Sequence, residues 1–295
     1  MKTGNSFPRP NYDFDYFKPS RIKDLLNENA ASPQKKWGQN FLIDPNIVQF
    51  IISSFSEEND SIECIGEIGP GLGALSHRIT LSKYPAFFFE IDPFFCKFLE
   101  SQDYFQKSKH ILFKGNVLEN LDKVSEKKIF LFGNLPYYIT SDILTTILGT
   151  IADFQGGVFM VQKEFALRLT REVASISVFV SAFCEVKILK KVSKNCFFPA
   201  PKEESAIISL RPLKKLFSSK IQVNQFELVL KTFFWGKRKT LYKSAREAPF
   251  FVSDIQRHAL CEVLNELGIP EGKRPEELDK TDFYTIALGF IKKGV

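Results

Sequence analysis

Between Ile62 and Leu210 the chain alternates short β-rich runs with stretches of helical spacing, and nothing else in it limits the fold as much. The runs are Ile62–Ile68, Ala86–Ile91, His110–Lys114, Lys128–Phe132, Gly157–Val161, Ile176–Val186 and Ala206–Leu210. Helical spacing fills Leu72–Ser82, Pro93–Ser101 and Ser141–Ile151, and an earlier stretch runs from about Pro45 to Phe55. Strands joined through helices lie parallel in one sheet with helices on both faces, so the fold expected is α/β. The last two runs lack a long helical stretch between them, which suits an antiparallel, hairpin-like pair at the sheet edge. After Pro212 no strand-like run remains, and residues 223–235, 239–247, 254–266 and 281–292 have helical spacing. The expected organisation is a polar extension over 1–33, with one short helix near Ile22–Asn27. An α/β domain over 34–212 follows, then a small all-helical domain over 213–295.

Composition narrows the function classes. The five cysteines form no C-x-x-C pair and the three histidines show no metal-ligand spacing, so free thiols in a reducing compartment and no metal are expected. No apolar run is long enough to span a bilayer. The first residues lack the apolar core of a signal peptide, and Asp13, Asp15, Asp24 and Glu28 argue against a transit peptide. A cytoplasmic protein with no membrane partner is the expectation. The net charge of +6 permits a polyanionic partner. Lys237, Arg238, Lys239, Lys243 and Arg246 cluster within ten residues, and Lys35 and Lys36 precede Trp37. Either cluster also suits a solvated face.

Two stretches carry chemistry. Glu67-Ile68-Gly69-Pro70-Gly71-Leu72-Gly73-Ala74-Leu75 follows the first main strand and opens a helix, and its glycines permit a tight turn close to a ligand. Gly69, Gly71 and Ala74 also fit the dinucleotide pattern. Glu90 ends the next strand, 21 residues after Gly69, where a carboxylate accepts from ribose hydroxyls. Nicotinamide cofactors and S-adenosylmethionine both carry such a ribose. The second stretch, Gly133-Asn134-Leu135-Pro136-Tyr137-Tyr138, follows the apolar run that ends at Phe132. The exocyclic amine of a nucleobase is a poor nucleophile because its lone pair is delocalised into the ring. An amide oxygen and a backbone carbonyl accept hydrogen bonds from that amine and draw the pair back onto nitrogen, proline stiffens the turn, and tyrosine offers a stacking face. The same four residues also suit an ordinary strand-to-helix turn. Both stretches fall on the carboxyl edge of one sheet, where ligands bind, and no hydride-transfer constellation is visible. S-adenosylmethionine is therefore favoured as cofactor, with Asn116 at the end of the third strand able to meet its adenine.

With these stretches go Trp37-Gly38-Gln39-Asn40-Phe41-Leu42, Phe89-Glu90-Ile91-Asp92, Gln162-Lys163-Glu164, Phe197-Phe198-Pro199-Ala200-Pro201-Lys202, Ser205-Ala206 and Lys237-Arg238-Lys239-Thr240. In this order, over about residues 34–292, they resemble the ribosomal RNA adenine N6,N6-dimethyltransferases, in particular the bacterial small-subunit branch. The resemblance implies a Rossmann-like S-adenosylmethionine-dependent methyltransferase sheet with a helical RNA-binding domain. It also implies transfer of methyl groups to N6 of adjacent adenines near the 3′ end of 16S rRNA, within an immature small subunit, by a monomer. Asn40 and Leu42 would cover the cofactor, Gly69 and Gly71 would face it, Glu90 would take the ribose and Asn116 the adenine edge. Asn134, Leu135 through its carbonyl, Pro136 and Tyr137 would hold the target amine, with Phe197 stacked on the far face of the flipped base. Lys237, Arg238, Lys239 and Lys243 would contact RNA phosphates. Three departures stand out: Asn116 replaces the usual Asp, Glu203 the usual Val, and the stretch 171–178 lacks a Tyr-Gly pair. The alternatives are a large-subunit dimethyltransferase of the antibiotic-resistance type, which usually has Ile where Leu135 stands, and a ribosome-assembly binding factor with weak or no catalysis.

Overall fold

A computed structural model describes residues 14–29, 39–55, 61–106, 110–217, 219–236 and 238–294. Lys35, Lys36, Trp37, Gly38 and Lys237, and residues 1–13 of the polar extension, lie outside the described residues. The strands are β1 (Phe41–Leu42), β2 (Cys64–Ile68), β3 (Ala86–Glu90), β4 (Ile111–Lys114), β5 (Ile129–Asn134), β6 (Phe154–Gln162), β7 (Cys184–Val192), β8 (Phe197–Phe198) and β9 (Ser205–Pro212). Seven of them form one sheet in the order β4-β3-β2-β5-β6-β9-β7, while β1 and β8 pair antiparallel in a small sheet of their own. Neighbours from β4 through β6 are parallel, and β9 runs antiparallel to β6. Both faces of the central strands are covered, which is why β2 is buried along its whole length, Glu67 included. The topology reverses around β2: β3 lies on one side of it and β5 on the other, so the carboxyl end of β2 is a switch point where such sheets bind ligands.

The chain divides into two compact units, residues 1–166 with 187–211, and residues 167–186 with 212–295. The sequence pattern places the boundary at Pro212 alone. Leu167–Val186 joins the helical unit because its aromatics pack there: Phe226 stacks on Phe217 at 4.4 Å and on Phe179 at 5.7 Å, and Ser181 bonds Tyr284 at 2.7 Å. The helices Lys220–Phe234, Leu241–Glu247, Asp254–Glu266 and Lys280–Lys292 build that unit, close to the four helical stretches expected. The first is capped reciprocally by Ser219 and Gln222.

One expected strand is wrong in type. Ile176–Val186, rich in β-branched residues, opens as the helix Ser175–Ser181, and the strand begins only at Cys184. Ser177 closes the first turn by accepting from the Ala174 amide, and Val178, Phe179 and Val180 are all buried, so packing overrides local propensity. The strand then continues through Lys187, Lys190 and Lys191, residues that blunt the open edge of a sheet. The one short helix expected in the extension is present and somewhat longer than Ile22–Asn27: Pro19–Glu28 is helical, with proline in its first turn and Ile22 and Leu26 buried.

Candidate active site

Three strand ends converge on one cavity. Beyond Ile68, the last residue of β2, the chain turns through Gly69 at φ +68° and Gly71 at φ +56°, left-handed conformations that side chains with a Cβ rarely adopt. The Gly69 amide stays tied to Phe89 O at 3.0 Å, so the turn is pinned to β3. A Cβ on Gly71 would stand 3.6 Å from the Phe41 ring, on the side of the turn that β1 covers. The cavity between these elements encloses about 780 Å³, its open mouth included. Asn40, Leu42, Gly69, Gly71, Glu90, Asn134 and Pro136 all line it.

Glu90 ends β3 with its carboxylate braced by backbone. Oε2 accepts from the Gly71 amide at 2.9 Å and Oε1 from the Asp92 amide at 2.8 Å. A carboxylate has about four lone-pair sites, so acceptor capacity remains for hydroxyls. Burial pushes its pKa up to about 7, against the pull of those two amides. Asp92 links the layers: one oxygen accepts from the Phe94 amide and caps the helix Pro93–Glu100, and the other accepts from Gln39 Nε2 at 2.9 Å.

Asn134 ends β5. Its Nδ2 donates to Asn40 O at 2.9 Å, a contact 94 residues away in sequence, and this leaves Oδ1 as the acceptor of the side chain. The Leu135 amide donates to Met160 O at 3.0 Å, while the Leu135 side chain is buried. The Pro136 carbonyl is taken by Thr140 Oγ1 at 2.9 Å, at the start of the helix Thr140–Thr150. Tyr137 O–H shares a 2.5 Å hydrogen bond with Ser205 Oγ of β9, which holds the half-buried ring.

Four expected site residues, Leu135, Tyr137, Asn116 and Phe197, are not among those that line this cavity; the first two adjoin Asn134 and Pro136, which do. Asn116 Oδ1 accepts from the Leu118 amide at 3.1 Å and caps the turn Val117–Asn120, so the oxygen expected at a cofactor adenine is engaged locally. Phe197 pairs with Leu42 between β8 and β1 and is only 3% exposed, packed into the hydrophobic core. No face of its ring is open for stacking in this arrangement; its neighbour Phe198 is half-buried.

Sequence reasoning gave no role to three residues the structure brings in. Glu67 of β2 lines the cavity, accepts from Ser76 Oγ at 2.6 Å and is pushed up to about 8 by burial. Its position inside the glycine stretch was the available signal. Gln39 lines the cavity beside Asn40, and its bond to Asp92 is a tertiary contact that no spacing announces. Tyr16 lines it from the extension, where the cluster Phe14, Tyr16 and Phe17 was a signal passed over as polar tail.

In the helical unit the basic segment is partly neutralised. Lys239 bonds Glu247 at 2.7 Å and sits 3.7 Å from the Trp235 ring centre. Arg246 lies 3.8 Å from Glu271, and Arg238 and Lys243 are exposed. Among the described residues no group of side chains could hold a metal ion, and no helix is long and apolar enough to cross a membrane.

A glycine turn, a braced carboxylate and a polar strand-end turn at the switch point of a largely parallel sheet define a Rossmann-like methyltransferase. The family model for ribosomal RNA adenine dimethylase matches residues 30–286, and the chain belongs to that family. Ribosomal RNA small subunit methyltransferase A of Levilactobacillus brevis is 32% identical over 288 residues, covering 94% of this chain and 96% of that protein. The protein of the same name from Enterococcus faecalis is 32% identical, covering 93% and 96%. Among solved structures, a dimethyladenosine transferase from Plasmodium falciparum superposes with a TM-score of 0.69 at 24% identity, covering 86% of this chain and 98% of that one. The 23S rRNA methyltransferase ErmE gives 0.58 at 21% identity, covering 85% and 100%. These two likenesses show the fold.

Proposed function

We propose that this methyltransferase takes methyl groups from S-adenosylmethionine and places two on N6 of each of two adjacent adenines near the 3′ end of 16S rRNA, in an immature small subunit. The observation that carries this reading is the meeting of Asn134 and Glu90 at one cavity, a polarising amide and a ribose-binding acid on either side of the glycine turn. The residues fit the cofactor: the turn lets backbone approach closely, and two buried carboxylates suit a ligand with positive charge. When bound, S-adenosylmethionine supplies an electrophilic methyl group.

The chain's own groups do the rest. Gly69 and Gly71 give backbone contact, Glu90 accepts from the ribose, and Asn40 and Leu42 cover the ligand from the β1 side. Asn134 Oδ1, left as acceptor by the anchor on Asn40, accepts from the adenine amine together with the Leu135 carbonyl. Tyr137, fixed by Ser205, stacks on one face of the base, worth about 1–3 kcal/mol. Phe197 stacks on the other face only after turning out of its packing. The adenine must leave its stack to enter, which costs a few kcal/mol and least in a loop. Orientation and hydrogen-bond polarisation carry the rate, with no strong base required. Asn116 meets the cofactor adenine only through what its cap leaves available. Arg238, Lys239 and Lys243, with Lys237 beyond the described residues, neutralise phosphates without reading sequence. The enzyme acts as a cytoplasmic monomer.

Small subunits and naked large-subunit rRNA from cells lacking the protein, each incubated with it and S-adenosylmethionine, test the reading. Mass spectrometry should find dimethyladenosine in the 3′-terminal rRNA fragment; methylation confined to large-subunit rRNA would move the chain to the antibiotic-resistance type.

A further inference from the structure

The segment Phe14–Glu28 packs beside the cavity and contributes one residue, Tyr16, to its wall. Tyr16 is 1% exposed and lines the cavity alongside Gly71, Leu72 and Glu90. Its ring lies 6.2 Å from His77, on the helix that the glycine turn opens. Phe14 makes an edge contact with Phe98 at 5.4 Å, on the helix that follows Glu90. One short segment thus leans on both elements that hold the ribose end of the cavity. Ile22 and Leu26 hold the rest of it down, in the same cluster as Leu72 and Phe95. Packing for stability alone would explain the buried helix face. It does not explain why a residue of this segment lines the cavity.

We propose that the segment Phe14–Glu28 is a working part of the methyl-donor site, with Tyr16 as its contact residue; this rests on the cofactor reading above. A ligand in the cavity touches Tyr16 and therefore binds the docked segment more tightly than a released one. Docking and cofactor binding are then coupled, each strengthening the other by the same factor.

Hydrogen exchange on the unaltered full chain, with and without saturating S-adenosylhomocysteine, tests this. The expected result is that amides of 14–28 slow about tenfold, in step with those of Gly69–Gly71, within the range of ordinary coupling. Protection of the glycine turn with unchanged exchange in 14–28 overturns the proposal and leaves the cofactor reading standing. Protection of neither overturns both. In a second arm, Tyr16→Leu should raise the Kd for S-adenosylhomocysteine about tenfold, and Tyr16→Phe, which keeps the ring, should restore it. Parental affinity in Tyr16→Leu overturns the role given to Tyr16.

Discussion

The cavity at the carboxyl end of β2 and the basic segment of the helical unit are both rich in polar side chains, yet they hold them in opposite ways. Around the cavity the polar groups are mostly buried and tied to backbone: Glu90 to Gly71 and Asp92, Asn134 to Asn40. In the basic segment the charges lie at the surface and meet other side chains: Lys239 with Glu247, Arg246 with Glu271. An interaction removed in low dielectric leaves a group that water cannot compensate, whereas an exposed pair is worth about 0–1 kcal/mol and is screened by salt. Single substitutions should therefore be severe and salt-insensitive at the cavity, and mild, additive and salt-dependent in the basic segment.

The sharpest break of that contrast would come from Asn134→Ala. Removing the acceptor proposed to meet the target amine should cut methyl incorporation into immature small subunits by about 10²–10³-fold. Full activity would reduce Asn134–Tyr137 to an ordinary connection. Next in size, Glu90→Gln removes a charged acceptor worth about 1.5–3 kcal/mol, so the Kd for S-adenosylmethionine by calorimetry should rise some 10- to 100-fold. A value unchanged at high and low salt would mean that Glu90 only braces the glycine turn.

A pH dependence near neutrality is expected of the cavity and not of the basic segment, where the shifted acid, Glu247, is moved further below neutrality by Lys239. Burial raises Glu67 to about 8 and Glu90 to about 7, so between the ordinary carboxylate range and those values the folded chain holds protons that the unfolded chain has lost. The stability they contribute is present at low pH and is lost as pH rises through 7 and 8. Melting temperature of the ligand-free protein should fall between pH 5.5 and 8.5, with a shallower slope in Glu67→Gln. A cationic donor favours the ionised acids, so its affinity should rise over the same window. A flat profile for both would show that these acids titrate normally.

The smallest effects are expected in the helical unit. Lys243→Ala should lower the slope of log K against log salt for RNA binding by about 0.7–0.9. Lys239→Ala should lower it less, because Lys239 is already balanced by Glu247. Equal slopes for the two variants would show that the Glu247 pair opens on RNA.

Much of the fold was legible because its signals are local. A β-rich run, a glycine pair or a proline at a turn is written in neighbouring residues, and the helices Thr140–Thr150 and Asp254–Glu266 fall within a residue of their sequence positions. Ile176–Val186 misled because β-branched residues favour a strand while the environment buries Val178 and Val180 in a helix. Phe197 shows a different limit: a motif places an aromatic, but pairing with Leu42 decides how much of its face is open in this arrangement.

The sequence by itself determined which groups end the strands of a parallel sheet: the glycine turn after Ile68, Glu90, and Asn134 through Tyr137. Those follow from chain direction and strand period, which any few consecutive residues carry. Only the tertiary structure decided what holds them. Asn40 anchors Asn134 from 94 residues away, Ser205 fixes Tyr137 from 68 away, and Tyr16 lines the cavity from a segment that reads as a polar tail. Such partners depend on register and packing between distant stretches, and no local pattern encodes them.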